Sequence, residues 1–246
     1  MKQLTIILFS GLFLLSGTTF AQTADEILEK VDKNMSAENR IVESSMTIHG
    51  KRNSRTMTSI SYSVGDKQSF TEYLSPAREK GTKMLKLTNK LWIYSPATDR
   101  TIQISGHMLR QSVMGSDFSY EDMMDDRELT DVYSAKRIGE EEIDGQKTFV
   151  LELTAKVEDV SYFMRKIWID TSKFVPLQEE LFAKSGQLLK KTTLSDVQKV
   201  QGKWFPMHMV YKDMLKTGDG TEMQITSIKF NQKIPEYIFT KAALKQ

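Results

Sequence analysis

The feature that most constrains the fold is an alternation of apolar and polar residues with a period of two between residues 41 and 230. Val42, Ser44, Met46 and Ile48 form the first such face, and similar segments recur at spacings of about 8–14 residues. Turn-forming pairs such as Gly65-Asp66 separate them. Alternation of this kind is typical of strands with one buried face. We therefore predict about eleven antiparallel strands in a curved meander that is half-open or closed.

Two parts of the chain depart from this period. Residues 23–35 place apolar side chains at helical spacing, and Thr23 with Glu26 has the spacing of a capping box, so we predict an N-terminal helix. Residues 105–130 lose the strand alternation, and Met108, Leu109, Ser112, Val113 and Ser116 follow helical spacing up to a break at Gly115. Ser119 with Asp122 predicts a second short helix.

The segment 105–130 is the strongest candidate for a binding element. It contains four of the 14 methionines in the chain, Met108, Met114, Met123 and Met124. Methionine side chains adapt to variable apolar shapes, and long insertions between strands often act as lids. The alternative is a surface helix pair that packs its methionines into an ordinary core. The sequence does not decide whether residues 105–126 open.

The first 21 residues have the pattern of a cleavable signal peptide. Lys2 precedes an apolar run over residues 4–15, and Thr19 and Ala21 are the small residues expected before a cleavage site after Ala21. A run of 12 residues is short of the roughly 20 that span a bilayer, so cleavage is favoured over the alternative of an N-terminal anchor that stays in place. The chain has no cysteine to carry a lipid. We expect a protein that is exported to the periplasm and released from the membrane, with residues 22–246 as a single domain.

Charge and chemistry exclude several function classes. The formal net charge is +2, and it becomes +1 without the signal peptide, so no basic footprint for nucleic acid is present. We identify no catalytic motif, cofactor site or metal site, because only His49, His107 and His208 could act as a near-neutral base and no residue nearby marks a triad. The acidic group before residue 129, which consists of Asp122, Asp125, Asp126 and Glu128, is predicted to be a solvated helix end, and the alternative is a docking site for a basic partner.

Several stretches resemble the LolA-like family of outer-membrane lipoprotein-sorting proteins. They are KGTKMLKL at residues 80–87, LWIYSPATDRTIQISG at 91–106, MGSDFSYEDM at 114–123, WIDTSKFVPLQEE at 168–180 and GKWFPMHM at 202–209. The GSDFSYEDM stretch is the most specific of these, and we assign the chain to a branch that carries such a motif. The resemblance covers essentially all of residues 22–246.

The resemblance implies a strongly curved, half-open antiparallel sheet whose concave side is closed by helices over an apolar cavity. Such a cavity holds acyl chains of a lipoprotein or another lipid in transit between an inner-membrane exporter and an outer-membrane acceptor. The better-studied relatives have an arginine inside the cavity, and Arg55, Arg78, Arg100, Arg110 and Arg165 are all candidates here.

Alternate residues of a curved sheet face its interior, so we predict cavity-lining side chains from the strands and the insert. From the strands these are Met46, Ile48, Ile60, Tyr62, Leu85, Leu87, Trp92, Tyr94, Phe149, Leu151, Phe163, Ile167 and Met209. From the insert they are Met108, Leu109, Val113, Met114 and Phe118. For each strand residue, a place in a solid core is an equally good interpretation.

Three functions follow. The first is a periplasmic carrier of acylated cargo. The second is a periplasmic sensor of the RseB type that binds a membrane signalling partner. The third is an enzyme that acts on lipids, for which the sequence offers no site.

Overall fold

A computed structural model of the protein describes residues 22–50 and 53–246, so the predicted signal peptide lies outside the described residues. Thirteen strands form one antiparallel sheet. They are β1 (Asn39–His49), β2 (Ser54–Val64), β3 (Gln68–Ser75), β4 (Lys83–Leu87), β5 (Lys90–Ser95), β6 (Arg100–Ile104), β7 (Tyr133–Ile143), β8 (Gln146–Ala155), β9 (Met164–Asp170), β10 (Pro176–Phe182), β11 (Leu188–Val200), β12 (Lys203–Asp213) and β13 (Thr221–Phe230).

The strand order explains why the sheet is open. It runs β6-β5-β4-β3-β2-β1-β13-β12-β11-β10-β9-β8-β7, so the first six strands and the last seven form two meanders joined where β1 pairs with β13. The two edge strands, β6 and β7, are consecutive in the chain. Their connection must therefore travel from one edge of the sheet to the other. This connection is the predicted insert, residues 105–130.

The N-terminal helix, α1 (Ala24–Met35), starts as predicted. The Thr23 hydroxyl accepts from the Glu26 backbone N–H, and the Glu26 carboxylate accepts from the Thr23 N–H. Ile27, Leu28 and Val31 are almost completely buried against a cluster that includes β8 and β9 residues. Burial of side chains of this size stabilises the fold by about 1.5–3 kcal/mol each. The helix therefore covers the half of the sheet near β7.

The two faces of the sheet are covered by different parts of the chain. We call the face under α1 and the insert the inner face, and the opposite one the outer face. The Lys86 side chain points to the insert, whereas its neighbour Leu85 packs against Phe239 and Leu244. These two residues belong to the 3-10 helices Glu236–Phe239 and Lys241–Lys245 at the C-terminus, which cover the outer face of β3, β4 and β5.

The structure confirms the fold class and changes two details. Thirteen strands form rather than about eleven. The insert has more helical pieces than the two that were predicted. It contains two 3-10 helices (Gly106–Arg110 and Val113–Gly115) and two short α-helices, α2 (Tyr120–Met124) and α3 (Leu129–Val132). Across the described ranges, no helix has the length and apolar character required to cross a membrane.

Candidate functional site

The insert packs its apolar side chains onto the inner face of β1 to β6. Val113 and Phe118 are its buried anchors, and they join a set that we call the methionine cluster. Eight methionines contribute to this cluster: Met46, Met57, Met84, Met108, Met114, Met123, Met124 and Met223. The Phe118 ring also lies on Tyr211, with 3.8 Å between ring centroids. More than half of the 14 methionines thus meet at the boundary between insert and sheet.

The family-like stretch MGSDFSYEDM holds the insert in place. Asp117 is buried, and its Oδ1 accepts from the Asp213 backbone N–H at 2.9 Å while its Oδ2 accepts from the Thr221 hydroxyl at 2.8 Å. The Asp117 N–H donates to the same Thr221 oxygen at 2.9 Å. Gly115 has a φ of +78°, a conformation that favours glycine, and lets the chain turn toward Asp117.

The start of α2 carries the most heavily bonded carboxylate of the insert. Ser119 and Asp122 form the predicted capping box. Asp122 Oδ1 accepts from the Tyr162 hydroxyl at 2.5 Å, and its Oδ2 forms an ion pair with Lys190. Tyr162 lies in the connection between β8 and β9, and Lys190 lies in β11. Asp122 therefore ties the insert to the half of the molecule near β9 to β11.

The end of α2 is attached to the other half. Lys86 of β4 donates to the Met124 carbonyl at 2.6 Å and lies 3.6 Å from Asp126. Arg40 of β1 also pairs with Asp126, at 2.9 Å. Further on, Asp32 of α1 accepts from the backbone N–H groups of residues 129 and 130 at 2.9 Å. Polar contacts thus attach the insert to both halves of the inner face.

A hollow of about 580 Å³ remains between α1, the insert and the inner face, and we call it the inner hollow. Its volume lies within the usual range of small-molecule sites. Met209, Leu194 and Phe118 contribute apolar surface. A second hollow of about 1040 Å³ lies beside it and shares Phe118, Tyr162 and Lys190 among its lining residues. The inner hollow therefore adjoins the larger second hollow, which runs along the insert.

The lining of the inner hollow is more charged than predicted. Nine carboxylates face five cationic side chains, namely Asp32, Asp66, Glu121, Asp122, Asp125, Asp126, Glu128, Asp131 and Glu179 against Arg40, Lys67, Arg127, Arg165 and Lys190. The prediction of a solvated helix end for the acidic group was wrong, because Asp122, Asp125 and Asp126 all form ion pairs in this lining. Burial alone would raise the pKa of Asp125, but the hydrogen bonds from Arg127 lower it below its usual value.

Arg165 and Glu179 occupy the inner side of β9 and β10. Arg165 donates through Nε to the Tyr133 hydroxyl at 3.1 Å, and its Nη1 lies 3.8 Å from Glu179 Oε2. Burial raises the pKa of the Glu179 carboxyl, and Arg165 only partly offsets this. Burial also raises the pKa of the nearby Tyr211. Of the five arginines considered from sequence, Arg165 lines the inner hollow and Arg110 lines the second one.

The structure divides the predicted cavity residues between several locations. Met46, Ile48, Met108, Leu109, Val113, Met114 and Phe118 come together in the methionine cluster. Phe149, Leu151 and Ile167 lie under α1 in a filled core, and Met209 lies at the inner hollow. Phe163 lies beside the Lys184 ammonium, 5.7 Å from its ring centroid.

Six predicted residues face away from the inner hollow. Leu85, Trp92, Tyr62, Leu87 and Tyr94 pack with the C-terminal helices on the outer face, and Ile60, two residues before Tyr62, shares that face. Strands β4 and β5 carry apolar side chains on both faces, and β2 carries its apolar alternation from Ile60 to Val64 on the outer face, so alternation could not identify the inner one. Sequence reasoning missed Met57, which faces Met46 across strands, Met84, which follows Lys83 and precedes Leu85 in β4, and Tyr73 of β3.

Two of the histidines lie on the outer face around one carboxylate. Glu222 accepts from His208 Nε2 at 2.7 Å and contacts His49 Nε2 at 3.2 Å. These hydrogen bonds lower the pKa of Glu222 below its usual value. Ser195 Oγ lies 3.0 Å from His208 Nδ1, so serine, histidine and glutamate are linked in series. None of them lines either of the two hollows.

Solved structures share this overall fold. A LolA superfamily protein from Nitrosomonas europaea is 27% identical with a TM-score of 0.75, over 91% of this chain and 100% of the other. A domain from Vibrio parahaemolyticus, named for outer membrane lipoprotein sorting, is 25% identical with a TM-score of 0.78, over 91% of this chain and 98% of the other. The chain belongs to the LolA-like family.

A third solved structure and one family model are also similar to this LolA-like protein. A DUF1329 family protein from Desulfovibrio piger shares the fold at 24% identity and a TM-score of 0.81, over 90% of this chain and 97% of the other. A family model described as "Uncharacterized protein" matches residues 65–246. No curated protein matches the sequence.

Proposed function

We propose that this LolA-like protein is a periplasmic carrier that binds acyl chains of lipoproteins or other lipids and moves them toward the outer membrane. An inner-membrane exporter would supply the cargo, and an outer-membrane acceptor would receive it. The observation that carries the proposal is the methionine cluster, in which eight of the 14 methionines lie at the boundary between the sheet and the insert that covers it. An unbranched, polarisable side chain suits a surface that must accept cargo of variable shape.

The energetics favour a mechanism in which acyl chains replace the contacts of the insert with the inner face, rather than one in which they fill an empty cavity. Each acyl methylene that leaves water contributes about 0.8 kcal/mol, so a chain of some 16 carbons supplies about 10 kcal/mol or more. In the closed protein, the insert places Val113, Phe118 and Met114 against the same inner face. Bound acyl chains would replace these contacts, and the freed insert would close over the cargo. Opening then costs mainly the polar contacts at Asp117, Asp122 and Asp126.

Co-purified lipid is the first test. Protein purified from its native envelope is denatured and examined by mass spectrometry for acylated molecules, and emptied protein is offered a fluorescent fatty acid. We expect both an acylated species and saturable uptake. Protein that carries no lipid and also fails to take up the fatty acid would exclude a carrier role.

A covalent lock tests whether binding needs the insert to open. The Asp117 nitrogen lies 2.9 Å from Thr221 Oγ1, so their Cα atoms are close enough for a disulfide. Because the chain has no cysteine, the pair D117C/T221C introduces the only two thiols. We expect the oxidised pair to lose fatty-acid uptake and the reduced pair, as matched control, to retain it. Equal uptake in both states would contradict a lid role for residues 105–126.

A further inference from the structure

The inner hollow has a polar floor whose hydrogen-bonding capacity is largely unused. Arg165 and Glu179 lie side by side there on neighbouring strands, with 17% and 16% of their side-chain surfaces accessible. Both residues line the hollow, so the accessible surface faces the space that cargo would enter. The 3.8 Å between Arg165 Nη1 and Glu179 Oε2 is longer than a hydrogen bond.

The other contacts of Arg165 and Glu179 leave hydrogen-bonding atoms of both side chains unused at the inner hollow. Arg165 Nε donates to the Tyr133 hydroxyl, and the guanidinium lies 5.0 Å from the Tyr133 ring centroid. Within the part of the chain that the structure describes, Arg165 is the one ion-pair partner of Glu179, and no donor reaches the Glu179 carboxylate at hydrogen-bond distance. The floor therefore offers guanidinium N–H donors and carboxylate acceptors next to each other.

Both side chains are partly accessible, and cargo that covers them removes the water they would otherwise bond. Polar groups that lose water without gaining a partner are costly, so this floor favours a ligand that satisfies both. A phosphate or carboxylate would meet Arg165 but would be repelled by Glu179, and the lining as a whole has nine carboxylates against five cations. An ammonium would meet Glu179 but would be repelled by Arg165. An amide accepts through its carbonyl and donates through its N–H, and it carries no charge.

We propose that Arg165 and Glu179 form a head-group subsite that selects acylated cargo with an uncharged amide beside the chain. The Arg165 guanidinium donates to the amide carbonyl, and the Glu179 carboxylate accepts from the amide N–H. This inference rests on the proposed carrier function, since it assigns the polar end of the same cargo.

The test compares two probes that differ in one group. The N-methyl amide and the methyl ester of lauric acid compete with a fluorescent fatty acid for the full-length mature protein. A hydrogen bond to a charged group corresponds to a preference of about tenfold or more, so we expect the amide to bind at least tenfold more tightly. Laurate itself should bind more weakly than the amide.

Variants locate the preference. Glu179→Leu should bring the amide-to-ester ratio close to one, and the double variant Arg165→Met with Glu179→Leu should do the same without leaving a buried charge unpaired. Glu180→Leu is the matched control, because this neighbouring carboxylate lies on the next position of β10 and pairs with Lys191 instead. It should keep the tenfold preference.

The outcomes separate the two proposals. Equal binding of amide and ester by the unmodified protein, or tighter binding of laurate than of the amide, would overturn the subsite while the carrier function stands. A preference that survives Glu179→Leu would also overturn it. Failure of all three probes and of the fluorescent fatty acid would remove the carrier function itself.

Discussion

Replacement of Tyr162 by phenylalanine should loosen the insert without unfolding the sheet. The change removes one hydroxyl, which donates to Asp122 at 2.5 Å, and keeps the buried ring. Hydrogen bonds to charged groups contribute about 1.5–3 kcal/mol. Asp122 is only 14% exposed, so solvent screening reduces this value little. Because the bond joins the sheet to the insert, its loss should raise the population of the opened insert by about 10- to 100-fold.

Native-state hydrogen exchange measures this opening directly. The Val113 N–H donates to the Phe118 carbonyl at 2.9 Å, and the Tyr120 N–H donates to the Gln111 carbonyl at 3.1 Å. In Tyr162→Phe both amides should exchange about 10- to 100-fold faster, while amides in the central strands change only as far as global stability falls. Urea unfolding of the same protein supplies the global value.

The control variant is Tyr133→Phe. Its hydroxyl donates to the Tyr162 carbonyl at 2.9 Å and accepts from Arg165, so both bonds lie outside the insert. It should lower global stability without a selective effect on the insert. Exchange of the Val113 and Tyr120 amides within twofold of the unmodified protein in Tyr162→Phe, or equal acceleration in Tyr133→Phe, would refute the role assigned to the Tyr162 contact.

Three further predictions concern other parts of the chain. Met84→Ala should weaken fatty-acid binding, because Met84 lies on the inner face. Leu85→Ala should lower the unfolding free energy by about 2–5 kcal/mol and leave binding intact, because Leu85 lies on the outer face. Equal loss of binding in the two variants would contradict this assignment. Gly115→Ala should lower stability by about 1 kcal/mol in thermal unfolding because its φ is +78°, and an unchanged or raised melting temperature would count against it. Asp170→Asn should lower stability at neutral pH: burial alone would raise the pKa of Asp170, but hydrogen bonds from residues 172 and 173 lower it. That stabilisation is present above the unfolded pKa of about 3.9 and is lost as the pH falls through the lower folded value, so the urea midpoints of variant and unmodified protein should converge below about pH 4 and a constant gap would contradict the sign.

Local patterns predicted the elements well. The Thr23 and Ser119 capping boxes depend on residues three apart, and both formed as expected. In the stretch 207–209, Met207 and Met209 pack in one apolar cluster while His208 bonds Glu222, as the alternation of a strand requires. Such features need only the local backbone geometry.

The candidate site was harder to predict because it depends on contacts between distant residues. Alternation tells which side chains share a face, but a strand that is apolar on both faces does not say which one is inner. The pattern therefore predicts Leu85 at the cavity, where the structure has Met84. The acidic group looked solvated because its partners, Lys190 and Arg40, lie 68 and 86 residues away along the chain. Charge pairing over such separations has no local pattern.

The central pairing of β1 with β13 has a consequence for how the molecule assembles. Arg40 pairs with Phe230 and Ile48 with Thr221, so the middle of the sheet joins the two ends of the described chain. Closing a loop of about 180 residues costs about 4–5 kcal/mol of chain entropy beyond a constant. Such non-local pairings form slowly. Each half of the sheet is a meander of neighbouring strands, but the β1–β13 pairing that joins the halves cannot form before the last strand is present. A chain that stops before residue 221 would leave the edges of β1 and β12 unpaired at the centre of the sheet.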